Sequence, residues 1–549
     1  MHLQINDSYV RDRNEFVIDH NNNILIGLDE QFVNTHNIGE IILNTLNSKL
    51  DHVAQIDAAT GKQTTFDEMR DLSVRCGLWL RKQGIGRGDL VTLCTPNHLE
   101  VYAPFLAVYY NGAIFNAWNH EITSKSARHF MQLLQPKVIF ACESAVETLL
   151  EAAKLEDVNT KIIVFGNFPG IQSLHDITRQ QFEQEVGEFR PHAVEDPRET
   201  ALVILSSGSS GMPKGVMHSY GNILKMVQSF LPISMAQVAL WYSTNYWISG
   251  FIFTLQSILS LGTRILHEFT KIEDTCKMIE EYKINRLFLM PIMITHLCKS
   301  QAYKKYNLDS VKFAKTGCNK INIKVFEEFK QIIPNAIVLQ TYGMTETGRS
   351  VTKQTNFTKN PNSIGFPASC MQLKIVDPET RRALGPNEPG ELCIKSPFIM
   401  LGYYKNQKAT KEAFDNEGWL RSGDKVYYNE DGEIFFVDRL TEMIKYRHYQ
   451  ISPSEIEEIL LSHPDVLEAS VVAIPHEYDG NWPVAFVKKV PESKVTEDEL
   501  VQLSSSTLGE VKKLRGGVKF LDNLPKTASG KIARPILKEM AKTLSNKEI

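Results

Sequence analysis

No CxxC pair occurs in the chain, and its eight cysteines (Cys76, Cys94, Cys142, Cys276, Cys298, Cys318, Cys370 and Cys393) are widely scattered. That spacing argues against a structural zinc site or a disulfide framework, and for reduced thiols in a cytosol-like compartment. The stretch from Met1 to Phe16 has no apolar h-region, so no secretory signal is expected. Long hydrophobic runs are also missing. The most apolar stretch, Ile248 to Leu261, is interrupted by Ser249, Gln256 and Ser257. It is short of the roughly 20 residues a spanning helix needs. A buried element is expected there, and no integral membrane segment. Neither sign of charge dominates: the formal net charge is −4 over 549 residues, which argues against nucleic acid or a membrane surface as a general partner. Hydrophobic residues at 43% and charged residues at 23% are ordinary for a globular protein. The length exceeds one compact core and points to two or more domains.

Residues 35–160 read as helices alternating with short apolar strands. Residues 69–84 have helical spacing and end at Gly84, and residues 90–96 read as a buried strand stopped by Pro96. Further strand signals lie at 137–141, 161–166, 199–206, 284–291, 311–317 and 336–343. This alternation predicts a layered α/β architecture with largely parallel sheets. From about residue 365 the character changes to strand–turn–strand units punctuated by Asp-Pro, Gly-Pro and Asp-Gly. A shorter α+β segment follows Arg439. The expected division is 1–439 and 440–549, a large multi-sheet layered N-terminal domain and a small α+β C-terminal one.

The strongest local signal is Ser206-Ser207-Gly208-Ser209-Ser210-Gly211-Met212-Pro213-Lys214-Gly215. A loop of small residues leaving a strand can bring backbone N–H groups and hydroxyls around phosphate oxygens, and a lysine adds a mobile positive charge. The spacing is not that of a Walker A loop, since Lys214 is followed by Gly215. Taken alone, such a stretch is also what a flexible surface linker looks like.

Four more segments remove that ambiguity. Gln340-Thr341-Tyr342-Gly343-Met344-Thr345-Glu346, Gly418 to Asp424, Asp438-Arg439 followed by Lys445-Tyr446, and Pro525 to Lys531 occur in one order along the chain. With the Ser206 loop they resemble the core motifs of the acyl-CoA synthetase/luciferase superfamily of adenylate-forming enzymes, with luciferase-like and 4-coumarate-CoA-ligase-like members the most similar. The resemblance covers nearly the whole chain. It implies an acid:CoA ligase that activates a fatty or aromatic carboxylic acid with ATP and Mg²⁺ and then forms the thioester with coenzyme A. The expected state is a monomer acting on a small molecule.

By the same resemblance, the loop with Ser206, Ser207, Gly208, Ser209, Ser210, Gly211 and Lys214 holds the β- and γ-phosphates. Thr345 holds a phosphate oxygen, Glu346 holds Mg²⁺, and Tyr342 stacks on adenine in a segment with Gln340 and Gly343. Asp424 accepts both ribose hydroxyls, assisted by Arg439; a carboxylate can accept from two donors at once. Lys531 bridges the attacking carboxylate and the α-phosphate. The small domain then rotates about a hinge at Thr441, and the segment from Lys445 to Tyr449 serves the second step. Without these companions, residues 342–346 would pass as a tight turn, Asp424 as a turn aspartate, and Lys531 as a solvated lysine.

Several positions depart from the family pattern. Arg447-His448-Tyr449-Gln450 stands where relatives read Lys-Gly-Phe/Tyr-Gln, and His448 adds bulk along the expected pantetheine path. Around the expected acid pocket, Tyr246-Trp247-Ile248-Ser249-Gly250 replaces a luciferase His-His-Gly-Phe-Gly run. Thr316-Gly317-Cys318-Asn319-Lys320 replaces Ser-Gly-Gly-Ala-Pro, and Thr341 replaces a glycine, with Met344 close by. Repacking of the core accounts equally for Trp247 and Ile248. Lys320 or Arg349, if turned into the cavity, would favour an acid with a second anionic or polar group. Two other readings stay open at this point: a luciferase-like oxygenase acting on its own adenylate, and a binding protein with weak turnover. Cytosol is the expected compartment. A peroxisomal one follows only from the resemblance, since Ser545-Asn546-Lys547-Glu548-Ile549 does not match a Ser-Lys-Leu-type address.

Overall fold

The computed structural model describes residues 16–30, 32, 37–206, 213–228, 237–355, 358–447, 449–527 and 531–545. Ser207, Gly208, Ser209, Ser210, Gly211 and His448 lie outside the described residues.

Among the described residues four sheets organise the fold. A seven-stranded sheet carries a parallel centre in which Leu90–Cys94 pairs with both Ile114–Trp118 and Val138–Ala141. All five residues of Leu90–Cys94 are buried. A strand covered on both faces reads as a continuous apolar run for that reason. The second large sheet has nine strands, and its parallel centre joins Val53–Asp57 to Thr263–Leu266, Val238–Leu240, Arg286–Phe288, Phe313–Thr316 and Ile337–Gly343. Helix Ile248–Leu259 is sandwiched between these sheets: Phe251 packs on Phe105 and Phe115 of one layer, Phe253 on Phe288 of the other.

A six-stranded antiparallel sheet includes Leu420–Tyr428 and Ile434–Arg439, joined by a turn in which Gly432 has φ 82°. The fourth sheet, drawn from residues 444–520, forms the core of a smaller C-terminal domain against helices Pro453–Ser462, Glu497–Leu508 and Arg534–Ser545. The architecture is therefore mixed α/β with several sheets in a large N-terminal domain and a smaller C-terminal one. No helix among the described residues is long and apolar enough to cross a membrane.

Candidate functional site

The two strands on either side of the Ser/Gly segment pair with each other. Strand Thr200–Ser206 runs out to the loop, and strand Lys214–Ser219 returns antiparallel with Lys214 opposite Ser206. Both residues are thus fixed at the end of this strand pair. Opposite them, strand Ile337–Gly343 ends in a short 3-10 turn, Thr345–Thr347, that presents Glu346. The Glu346 carboxylate is 8% exposed and accepts from the Tyr403 hydroxyl at 2.9 Å, with Ser206 Oγ at 3.5 Å. The Lys214 ammonium lies 4.9 Å from the centre of the Tyr403 ring. Thr345 is held through its carbonyl, 2.8 Å from His218 Nε2. Burial pushes the His218 imidazole down to about 4, so at neutral pH it is uncharged and donates to that carbonyl.

Glu346 and Ser206 present hard oxygen atoms, a donor set suited to Mg²⁺ that keeps several waters and bridges phosphate oxygens. Among the described residues no group of three or more His, Cys, Asp or Glu gathers into a self-sufficient metal site. A metal here would depend on the nucleotide for its remaining ligands.

A second set of side chains faces the same cleft. Asp424 and Arg439 are opposite one another on neighbouring strands, with Arg439 Nε 3.5 Å from Asp424 Oδ1. The Tyr342 hydroxyl donates to Asp424 Oδ2 at 2.5 Å. Asp424 is 5% exposed, and burial raises its carboxyl above the ordinary value against the pull of Arg439 and Tyr342. Its lone pairs not used by these partners are what a pair of vicinal hydroxyls would occupy. Gln340 is buried on the strand leading to Tyr342, and Gly343 approaches the chain so closely that a Cβ would stand 2.9 Å from the Arg349 carbonyl.

The C-terminal domain contributes Lys531, on a hairpin closed by Thr527 N–H to Lys531 carbonyl at 2.7 Å and Ala533 N–H to Pro525 carbonyl at 2.8 Å. Burial holds its ammonium below the usual lysine range, and Cys318, Arg439, Asp424 and Glu346 are the groups within electrostatic reach. Lys531 thus joins the two halves of the cleft. Lys445 is not brought into this cluster: it is exposed on strand Ile444–Tyr446. Thr441 sits in an exposed turn just after Arg439. The domains are pinned by Lys320 to Glu458 at 2.7 Å and by Asn322 Nδ2 to the Glu458 carbonyl at 3.3 Å. Lys320 therefore faces the small domain, not a cavity.

The expected acid pocket divides. Trp247 caps helix Ile248–Leu259 and packs edge-on to Tyr246 against the seven-stranded layer, while Ser249 Oγ donates to Ser243 at 3.3 Å. Ile248 and Met344 pack on the main core. Gly317 lies so close to Thr341 that a Cβ would stand 2.8 Å from the Thr341 carbonyl, and Cys318 adopts φ 73°, a conformation that favours glycine. Arg349 is buried over the Phe398 ring at 4.6 Å and pairs with Glu30 at 3.5 Å. Lys315, unremarked in the sequence, lies on strand Phe313–Thr316 leading to Gly317, with its ammonium 3.2 Å from Ser350 Oγ and 6.0 Å from the Phe253 ring centre.

Tyr403 is the other functional residue missed by sequence reasoning, since a Gly-Tyr pair after a loop carries no chemical signature. Its hydroxyl donates to a carboxylate, a contact worth about 1.5–3 kcal/mol. Tyr403→Phe is expected to raise KM for ATP about tenfold or more with little change in KM for the acid, as read from initial rates.

Residues 44–404 match the model of the AMP-binding enzyme family, and residues 455–531 match that of the AMP-binding enzyme C-terminal domain. The chain is 32% identical over 505 residues to luciferin 4-monooxygenase of Photuris pensylvanica, covering 89% of this chain and 92% of that one. It is 31% identical over 508 residues to 4-coumarate-CoA ligase 1 of Narcissus pseudonarcissus, covering 89% and 90%. Among solved structures, an anthranilate CoA ligase in complex with anthranoyl-AMP aligns with a TM-score of 0.83 at 21% identity, covering 94% of this chain and 99% of that one.

Proposed function

The chain belongs to the AMP-binding enzyme family of adenylate-forming enzymes, and from that premise we propose that it is an ATP-dependent acid:CoA ligase. In the first step a carboxylate oxygen attacks the α-phosphorus, the bond to the β-phosphate oxygen breaks, and pyrophosphate leaves. In the second, the coenzyme A thiol gives up its proton and attacks the acyl carbonyl, and AMP leaves.

The observation that carries this reading is the meeting of Lys531 with Asp424 and Glu346 across one cleft. Two anions must be brought together, and a compact, mobile ammonium between them offsets the charge that builds at the α-phosphate. Ser206 and Lys214 would hold the outer phosphates, Thr345 an oxygen of the same chain, and Asp424 with Tyr342 and Arg439 the nucleoside. Mg²⁺ on Glu346 would neutralise the leaving pyrophosphate. Lys445, exposed in this arrangement, would serve thioester formation after the small domain turns about Thr441. Trapping of the acyl-adenylate as a hydroxamate, with mass-spectrometric detection of acyl-CoA when the thiol is added, tests the two steps. Oxygen uptake in place of the thioester would move the chain to luciferase-like chemistry.

Lys315 gives the reading a pH signature. Burial, reinforced by Arg349 and Lys353 and opposed by Cys318, pushes its ammonium down to about 7. It is charged below that value and neutral above it, so its attraction for an anionic acid fades as pH rises. KM for the acid is expected to climb between about pH 7 and 8.5, and Lys315→Met is expected to flatten that rise. An unchanged profile in the variant would assign the titration elsewhere.

A further inference from the structure

One cation in the large domain has no counter-charge within the described residues. Arg264 lies on strand Thr263–Leu266, an interior strand of the nine-stranded sheet, and is 3% exposed. Its guanidinium stacks 4.3 Å from the Trp241 ring centre, and Nη1 donates to Thr254 Oγ1 at 3.2 Å. Nε and Nη2, both shielded from solvent, have no hydrogen-bond acceptor among the described residues. Burial pushes the group down to about 9, which leaves it charged at neutral pH.

The surroundings are rich in donors. Trp241 Nε1 and Asn245 Nδ2 are buried without acceptors, and Asn245 Oδ1 is already taken by Thr254 at 3.2 Å. The Gln55 carbonyl, on the register neighbour of Arg264, is also unsatisfied. It is neutral, and it could take one N–H but not balance the charge. An unpaired buried cation and unmet donors cost several kcal/mol in an empty site, so the arrangement fits one that an anion completes.

The position of this cation connects it to the cleft. The Trp241 ring lies 5.8 Å from that of Phe253, Phe253 lies 4.9 Å from Phe288, and the Lys315 ammonium lies 6.0 Å from the Phe253 ring centre. Phe253 and Met290, which pack against Trp241 and Phe288, are only partly buried. The unsatisfied edge of the guanidinium is the Nε/Nη2 edge, which offers two parallel N–H groups. A carboxylate accepts both at once; a hydroxyl cannot.

We propose that Arg264 is a specificity-determining residue that receives a second carboxylate at the far end of the acid, so that the substrate class is an α,ω-dicarboxylic acid with an apolar spacer. This rests on the ligase reading for which end reacts. Three strand spacings and a two-residue register offset separate Arg264 from Lys315, about 16 Å between backbones, and inward-pointing side chains shorten that to a spacer of roughly six to eight carbons. A site built to hydrogen-bond a polar group discriminates strongly against analogues lacking it.

The test is calorimetric titration of the full chain with suberate and sebacate against octanoate and decanoate, for wild type and Arg264→Gln. Pyrophosphate exchange is run in parallel. The wild type is expected to bind each diacid about 20-fold tighter than the monoacid of equal length, the scale of one charged hydrogen-bonded pair. Arg264→Gln is expected to erase that advantage while octanoate binding stays within about twofold. Equal or weaker diacid binding in the wild type, no diacid binding at all, or a variant that weakens both classes alike would overturn the proposal. If the variant does not fold, the wild-type comparison decides alone. Discrimination in binding with no exchange for any acid would remove the ligase reading and leave this one standing.

Discussion

Lys531→Ala is expected to slow adenylation by about 10²-fold or more, roughly 2.7 kcal/mol of transition-state stabilisation, as measured by ATP–pyrophosphate exchange. The argument is local. Lys531 is carried on a hairpin of the C-terminal domain into a cleft whose fixed charges, Asp424, Glu346 and Arg439, belong to the large domain. Burial of its ammonium costs energy that only a nearby negative charge offsets, and the α-phosphate is where that charge grows. The loss is expected in the first step alone. Conversion of a supplied acyl-adenylate to thioester should run at near wild-type rate, because that step is assigned to the Lys445 hairpin. Loss of both steps together would mean that the substitution had disturbed the domain, and normal exchange would remove Lys531 from the reaction.

Asp424→Ala is expected to lower kcat/KM for ATP by about 10³-fold, since two hydrogen bonds to a charged acceptor are worth about 1.5–3 kcal/mol each. KM for the acid should be nearly unchanged. The pH dependence has a definite sign. Burial raises the Asp424 carboxyl, so the acceptor form exists above that raised value and is lost as pH falls through it. ATP capture in the wild type should therefore weaken on the acid side, and Asp424→Asn should show that weakness at every pH. Calorimetry with ATP reads the effect without turnover.

Lys214, Glu346, Asp424 and Lys531 could be read from the sequence as candidates only through the order of the five motifs along the chain, since each alone is an ordinary loop or turn residue. The α/β alternation was legible locally: strands such as Leu90–Cys94 are buried on both faces and read as apolar runs. Ile248–Leu259 reads in the sequence as a buried element without its helical type, because an element covered by sheets on both sides loses the periodicity that would identify it. Long-range partners stayed hidden as well. Tyr403 meets Glu346 from 57 residues away. Arg264 and Lys315 reach one aromatic line only because the nine-stranded sheet places their strands three apart. Lys320 and Arg349 were candidates for the acid pocket on sequence position, yet each is turned onto a carboxylate, Glu458 and Glu30.

The most direct test is ATP–pyrophosphate exchange across a panel of mono- and dicarboxylic acids, with and without coenzyme A. Exchange that requires an acid but not the thiol, with acyl-CoA appearing once the thiol is added, is the predicted result. ATP binding without exchange for any acid would contradict it.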